Sequence, residues 1–374
     1  MKKMRKGLVI LSAAFLLFTT GCSCNKDNNT TPPTQQNYDE SKNYQAYSSS
    51  LQGLYEENVK STVAVIAYNK SKGITSNGTG VVYKEDEQFA YILTNAHVLY
   101  AKYDSSGKIS NTQMTDLVEV IFSNYVREKA TFLAFDRDED VAVLSVRKSS
   151  NYKVATIVRD DSATKVGEAV FAIGNPHKQY FSMSEGIVSA TKLKEKIDYI
   201  STTDYATTFV YNTTAVINSG NSGGPLFNAK GEVVAINTMY PVNQSGKEYR
   251  NFNYSIPARH FIEVADYIIT KGNNSYKRAY LDLEGISISS KNTEEITTLT
   301  QVKTGVFVTS SNCVGITENK TVIIAVGGVA INTIEDLEYE LFTKYAKADS
   351  VQLTIVDKNG IGEDTISVPL LKKW

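Results

Sequence analysis

Short apolar or alternating runs recur along residues 54–256, and this pattern limits the possible folds more than any other feature of the sequence. The runs are separated by clusters of Gly, Asn, Asp and Lys, and they fall at 62–68, 80–83, 89–94, 117–122, 141–146, 169–173, 209–216 and 233–236. Many short strands at this spacing are typical of a β-sandwich or a β-barrel. The sequence therefore predicts a mainly β domain, and the spacing leaves both architectures open.

The character of the chain changes after this region. Pro257 suits the first position of a helix, and Gly272 can end it. Between them, apolar residues recur at helical spacing, at 261, 264, 265, 268 and 269. Strand-like runs follow at 305–309, 321–325 and 351–356, with a helix over 334–345 that Thr333 can cap. These runs predict a second, small α+β domain.

The N-terminus has the features of an export signal. Basic residues precede an apolar run over 8–18, which is too short to span a bilayer comfortably. The run ends in Thr-Thr-Gly-Cys, which resembles a bacterial lipobox and would make Cys22 the lipidated N-terminus of the mature chain. We therefore expect a lipoprotein signal peptide at 1–21 and a disordered polar tether at 22–53. The mature chain would be anchored to the cell membrane and face outside, with secretion or an uncleaved anchor as alternatives.

Composition excludes several classes of protein. The chain has 39 basic and 40 acidic residues, for a formal net charge of -1. Such a balanced charge produces no overall electrostatic field that would favour binding of nucleic acid. Three cysteines cannot form a disulfide framework if Cys22 carries lipid. No cluster of Cys and His suggests a metal site, and we expect neither a metal nor a cofactor.

The strongest local signal for chemistry is the run Gly-Asn-Ser-Gly-Gly-Pro-Leu at 220–226. Glycine before a serine lets the backbone turn, so that the amides of Gly220 and Ser222 can point at one spot. That spot would hold the oxyanion of a tetrahedral intermediate. Taken alone, the run is equally compatible with a tight hairpin loop.

A nucleophilic serine needs a base, and the sequence offers three histidines. His97 stands at the end of the apolar run 89–94, where a side chain can be held rigidly. His260 opens the predicted helix and is expected to be a surface or capping residue. His177 lies in a polar loop and is expected to be solvated, although this loop can border the active site.

The third group must be a carboxylate that orients the imidazole of His97. Asp140 directly precedes the run 141–146 and would be drawn inward at the start of that strand. Asp136, Asp138 and Glu139 belong to the same run of charges and would by default form a solvated loop.

Together the segments 94–98, 136–144 and 220–226 closely resemble the three catalytic segments of HtrA/Deg trypsin-like serine proteases. The resemblance extends over residues 59–272. It implies a protease domain at 54–272 made of two six-stranded antiparallel β-barrels of chymotrypsin type, with a triad of His97, Asp140 and Ser222 between them. It also implies polypeptide substrates, acyl transfer and a possible homotrimer.

Some specificity and regulation can be predicted from the resemblance. Val216 would lie at the base of the substrate pocket, with Ile236, Asn237 and Thr238 along its wall. An uncharged pocket base favours small or medium aliphatic side chains at P1. Asn221 replaces the aspartate that zymogens use, so ordering of the loops 175–185 and 239–251 is the expected switch.

The C-terminal part, 280–374, looks like a PDZ domain in the position usual for the family. PDZ domains add a peptide as a strand and hold its carboxylate on backbone amides. Asp282 stands where that loop normally has glycine, which puts capture of a carboxylate in doubt.

Two other functions are compatible with parts of the pattern. A surface lipoprotein could bind or chaperone unfolded proteins without cutting them, although nothing in folding requires a triad together with oxyanion glycines. An esterase could use the same triad, but a long cleft and a PDZ-like domain favour peptides.

Overall fold

The structure is a computed structural model. It describes residues 40–69, 74–99, 115–136, 139–160, 163–201, 204–238, 252–272, 278–290, 295, 298–345 and 348–373. From Ser48 onward the chain packs as one unit that contains two closed barrels and a further sheet.

The first barrel brings together the strands that flank His97 and Asp140. Its strands are β1 (Thr62–Asn69), β2 (Ile74–Glu85), β3 (Phe89–Thr94), β4 (Leu117–Ile121), β5 (Arg127–Asp136) and β6 (Val141–Arg147). They close in the order β1-β2-β3-β6-β5-β4, so β3 and β6 are neighbours although β4 and β5 separate them in sequence. The short helix α2 (Ala96–Leu99) follows β3.

The second barrel carries the Ser222 loop. Its strands are β7 (Ala169–Gly174), β8 (Ser182–Ser201), β9 (Asp204–Thr213), β10 (Pro225–Asn228), β11 (Val233–Asn237) and β12 (Asn253–Pro257). They close in the order β10-β11-β12-β9-β8-β7, all antiparallel. The predicted pair of six-stranded antiparallel barrels is therefore confirmed.

The predicted closing helix is present as α3 (Ala258–Lys271). Its apolar face packs into the main core, where Phe261, Val264 and Ile268 are fully buried. Gly272 ends the helix in the left-handed conformation, at φ 69°, and its amide bonds the carbonyl of Ile268.

The prediction of a disordered tether is wrong for residues 40–53, because helix α1 (Glu40–Asn58) includes them. Leu54 and Tyr55 pack against the barrel core. The Tyr55 hydroxyl also donates a hydrogen bond to the carbonyl of Phe181, at 3.0 Å. The polar composition hid this helix, because the apolar contacts described for Leu54 and Tyr55 are made with the folded barrels.

A six-stranded sheet follows the barrels. Its strands are β14 (Leu283–Ser287), β15 (Val306–Ser311), β16 (Thr321–Val326), β17 (Val329–Ala330), β18 (Ser350–Asp357) and β19 (Asp364–Pro369). Two further strands, β13 (Arg278–Tyr280) and β20 (Leu371–Lys373), form a two-stranded sheet. Helix α4 (Ile334–Lys344) covers the sheet, with Leu337 and Leu341 in its core. As predicted, Thr333 caps this helix, since its side chain accepts from the amide of Asp336.

Helix α4 also packs against the second barrel and α3. Phe342 stacks on His260, with ring centroids 4.4 Å apart, and Tyr339 meets Phe209 edge-on at 5.2 Å. At the rim, Arg259 donates to the carbonyl of Thr343 at 2.6 Å. Each helix in the described part of the chain is too short or too polar to cross a bilayer.

Candidate active site

His97 and Asp140 meet because their strands pair. His97 follows β3 and Asp140 precedes β6, and Thr94 of β3 lies opposite Ala142 of β6. Nδ1 of His97 is 2.8 Å from Oδ2 of Asp140, and the His97 amide donates to Oδ1 at 3.0 Å. The carboxylate favours the tautomer protonated on Nδ1, which leaves Nε2 able to accept a proton.

Asp140 is held in a buried and strained conformation. It is fully buried, and its φ of 52° is in the left-handed region, which asparagine and aspartate tolerate better than most residues. The Thr238 hydroxyl donates to Oδ2 at 3.0 Å, and the Asn95 side chain donates to the backbone carbonyl at 2.9 Å. Asp136, its neighbour in the charge run, instead accepts from the Glu139 amide at 2.9 Å.

The Ser222 loop is shaped by two glycines in the left-handed region. Gly220 has a φ of 105° and Gly223 a φ of 82°. A methyl group on Gly223 would lie 2.2 Å from the Thr94 hydroxyl and 2.7 Å from the Asn95 amide. Only glycine fits there, and this close contact seats the serine loop beside the segment that leads into His97.

Thr79, in β2, joins the two barrels under this loop, and the sequence analysis missed it. Its amide donates to the Ser222 carbonyl at 2.9 Å, and its hydroxyl donates to the Gly220 carbonyl at 2.7 Å. The same hydroxyl accepts from the side chain of Asn175 at 2.9 Å. The available signal was Gly-Thr-Gly at 78–80 inside a strand, where small residues permit a close approach.

The backbone around Ser222 suits an oxyanion. The His177 amide donates to the Ser219 carbonyl at 3.1 Å. Because a trans peptide directs its C=O and N–H to opposite sides, the Gly220 amide points away from His177. In the described part of the chain, the amides of Gly220 and Ser222 have no hydrogen-bond acceptor.

The predicted pocket residues lie in different environments. Val216 is 54% exposed. Ile236 is in the hydrophobic core, while Asn237 donates to the carbonyl of Pro225 at 3.1 Å and Thr238 supports Asp140. These three side chains are almost fully buried, and their assignment to the pocket wall stays a prediction. The assignment of Val216 to a substrate pocket stays a prediction.

His260 is not the surface or capping residue that was predicted. It is fully buried, under Phe342 and 3.7 Å from Oε2 of Glu139. The prediction failed because α4, which covers His260, is more than seventy residues away in sequence. His177 is exposed, as expected, and its φ is 51°. Cys22 and the loop 239–251 lie outside the described residues.

The two closed barrels, with the His97–Asp140 pair at the end of the first and the Ser222 loop packed beside the segment that leads into His97, define a trypsin-like peptidase fold. In agreement, a family profile described as the trypsin-like peptidase domain matches residues 78–236. The chain is 31% identical to the serine protease Do-like HtrB of Bacillus subtilis over 293 residues, which are 75% of this chain and 59% of HtrB. It is 28% identical to the Do-like HtrA of Lactococcus lactis subsp. cremoris, covering 76% of this chain and 69% of that protein.

A solved structure of the HtrA-type protease AlgW with tripeptide has the same fold. It superposes with a TM-score of 0.60 at 21% identity, over 86% of this chain and 97% of AlgW. The resemblance of this chain to HtrA-type trypsin-like serine proteases is thus confirmed. The chain spans about three fifths of the length of HtrB.

Proposed function

We propose that the chain is an exported serine endopeptidase that hydrolyses peptide bonds in unfolded or specific proteins. The supporting observation is the 2.8 Å contact between His97 and Asp140, at the end of the first barrel against which the Ser222 loop is packed. This combination of base, orienting carboxylate and serine is what acyl transfer needs.

In the proposed mechanism, Ser222 attacks the scissile carbonyl while Nε2 of His97 takes the hydroxyl proton. Asp140 keeps the ring oriented and stabilises the imidazolium. His97 then gives the proton to the leaving amine, and an acyl-enzyme remains on Ser222. Water, activated by His97, attacks the acyl-enzyme and releases the second product.

The amides of Gly220 and Ser222 would stabilise the oxyanion in both steps. They have no acceptor in the described part of the chain, so they can donate without breaking another bond. A donor held in place in this way contributes about 3 kcal/mol to the stabilisation of the transition state.

The proposed substrate is a polypeptide with a small or medium aliphatic residue at P1. Val216, the residue six before Ser222, carries no charge that would pair with a basic or acidic P1 side chain. An assay with a small ester would not distinguish a protease from an esterase, because serine proteases also hydrolyse esters.

We further propose a protease domain at 54–272 and a PDZ-like domain at 280–374. The six-stranded sheet with α4 across it supports the second assignment. The basic and apolar N-terminus supports export with lipidation at Cys22 and anchoring on the outer face of the cell membrane. A homotrimer follows from the family resemblance alone.

The first experiment compares the full-length chain in detergent with Ser222→Ala on reduced casein. We expect the substitution to lower kcat by about 10⁴-fold or more. Ser150→Ala, at an exposed serine away from the site, is the matched control and should keep full activity. The cleavage sites, read by mass spectrometry, test the aliphatic P1 preference.

If the parent chain and Ser222→Ala are equally inactive on casein and on short peptides, the proposed catalytic function is wrong. The alternative is then a surface lipoprotein that binds or chaperones unfolded proteins. It predicts that the Ser222→Ala chain suppresses aggregation of an unfolded protein as well as the parent does.

A further inference from the structure

A strained loop, 175–181, joins β7 to β8 beside the Ser222 loop. His177, Lys178 and Phe181 have φ angles of 51°, 66° and 61°, in the left-handed region that residues other than glycine rarely adopt. Phe181 is almost fully buried, and its side chain belongs to the main core. Strained residues persist only where their surroundings hold them, so specific contacts must fix this loop.

Two side chains hold the backbone of Phe181. The Tyr55 hydroxyl, from helix α1, donates to the Phe181 carbonyl at 3.0 Å, across 126 positions of sequence. The Phe181 amide donates to Oδ1 of Asn175, also at 3.0 Å. Helix α1 is therefore bonded to the backbone of the strained loop, and Asn175 extends this series of hydrogen bonds inward.

The series continues from Asn175 to the backbone of Gly220. The Asn175 side chain donates to the Thr79 hydroxyl at 2.9 Å, and this hydroxyl donates to the Gly220 carbonyl at 2.7 Å. The His177 amide, from the same loop, donates to the Ser219 carbonyl at 3.1 Å. The carbonyls of Ser219 and Gly220 are thus both held. Because peptide units are planar, these two bonds fix the direction of the Gly220 amide.

Burial and close packing make this connection stiff. Thr79 is fully buried and Asn175 almost so, and a buried polar group that loses its partner is costly because water does not replace it. A methyl group on Gly220 would lie 2.3 Å from the Asn175 carbonyl oxygen, so the two backbones are in direct contact. A displacement of the loop 175–181 would therefore move Gly220 as well.

We propose that Tyr55 is a positioning residue for the oxyanion site, because its hydroxyl fixes the loop 175–181 and this loop, with Thr79, directs the Gly220 amide. The inference rests on the proposed protease function. Tyr55 itself does not touch substrate, and its effect is on the transition state, where the oxyanion forms. Movement of the α1 segment that carries Tyr55 away from this loop would weaken catalysis while His97 and Asp140 stay paired.

The first test compares Tyr55→Phe with the full-length parent in detergent, on a peptide that the parent cleaves. We expect kcat to fall about 3–10-fold with KM within about 2-fold, because one hydrogen bond that orients the oxyanion site is lost. Tyr125→Phe is the matched control. The Tyr125 ring meets Phe181 edge-on at 6.0 Å, and no hydrogen bond joins its hydroxyl to Phe181. Its kcat should stay within about 1.5-fold of the parent.

A peptide boronic acid separates positioning from a general loss of folded enzyme. Its tetrahedral adduct with Ser222 places an oxygen where the oxyanion would lie, so its Ki should rise by the factor by which kcat/KM falls in Tyr55→Phe. A smaller folded fraction would lower kcat and leave Ki unchanged, which would contradict the proposal. Thermal unfolding checks that each variant is folded.

The substitution Thr79→Val tests the route, because it removes the hydroxyl between Asn175 and Gly220. In this background, Tyr55→Phe should lower kcat by about 2-fold or less, since the two changes act on the same connection. Thr79→Ser keeps the hydroxyl and should restore the full effect. A full effect of Tyr55→Phe in Thr79→Val would exclude this route. The comparison with Tyr125→Phe decides the role of Tyr55 even if Thr79→Val does not fold.

Hydrogen–deuterium exchange tests the contact without catalysis. In the full-length chain with Ser222→Ala, adding Tyr55→Phe should accelerate exchange of the Phe181 amide, and adding Tyr125→Phe should not. The proposal is overturned if Tyr55→Phe leaves kcat, Ki and this exchange unchanged. An inactive parent would instead contradict the proposed protease function, and the exchange would still show whether Tyr55 holds the loop.

Discussion

The hydroxyl of Thr238 is a positioning group for the proposed triad. It donates to the same oxygen of Asp140 that contacts Nδ1 of His97. In Thr238→Val, this buried carboxylate oxygen loses a donor, which costs about 1.5–3 kcal/mol. We expect kcat on an aliphatic P1 peptide to fall about 10–100-fold with KM changed much less.

Thr238→Ser is the matched control, because it keeps the hydroxyl and removes one methyl group. Its kcat should stay within about 3-fold of the parent, since the hydrogen bond to the charged group remains. Equal activity of Thr238→Val and the parent would show that Thr238 does not position Asp140.

Between elements, a partly buried hydrogen bond connects the first barrel to helix α3. The hydroxyl of Tyr83, in β2, donates to Oδ1 of Asp266 at 2.8 Å. The substitution Tyr83→Phe removes this hydrogen bond and should lower the free energy of unfolding, measured by urea denaturation, by about 1–2 kcal/mol. Tyr91→Phe, which breaks an exposed bond to Asp86, is the control and should cost less than 1 kcal/mol, about the value for exposed pairs.

Ionisation of Tyr83 makes the free energy of unfolding depend on pH. Burial, followed by the bond to Asp266, raises the pKa of Tyr83 above its ordinary value of 10.0. Above pH 10 the unfolded chain loses this proton while the folded chain keeps it, so the stabilisation is full below pH 10 and is lost as pH rises toward the folded pKa. The stability difference between the parent and Tyr83→Phe should therefore shrink at alkaline pH. An increase would contradict this account.

The elements that the sequence predicted are those with a clear apolar pattern. Strands β3, β6 and β11 and helix α3 carry continuous or strictly periodic apolar residues, and the structure contains them. Strands β5 and β8 were missed because charged and polar residues interrupt their apolar residues without a strict period. Their place in the barrels depends on pairing with neighbours, which no local pattern encodes.

Across the whole molecule, Phe342 links the C-terminal sheet to the protease-like barrels. Its ring stacks on buried His260. Phe342→Ala should remove about 2–4 kcal/mol of packing between the two parts. Hydrogen–deuterium exchange should become faster in α4, while the amides of β3 and β6 keep their protection.

Phe342→Leu is the matched control for this contact. It retains most of the apolar volume and should accelerate exchange in α4 less than alanine does. Unchanged exchange in α4 of Phe342→Ala would mean that the aromatic contact does not hold the two parts together.

By itself, the sequence determined the β class, the closing helix and the candidate residues His97, Asp140 and Ser222, because each belongs to a short local pattern. Only the tertiary structure decided that Thr79 and Thr238 support the site and that His260 is buried. These roles depend on contacts between residues far apart in the chain, which exist only after the barrels close and α4 packs against them. Local patterns report which face of an element is apolar, whereas the partner that covers this face is fixed by the assembled fold.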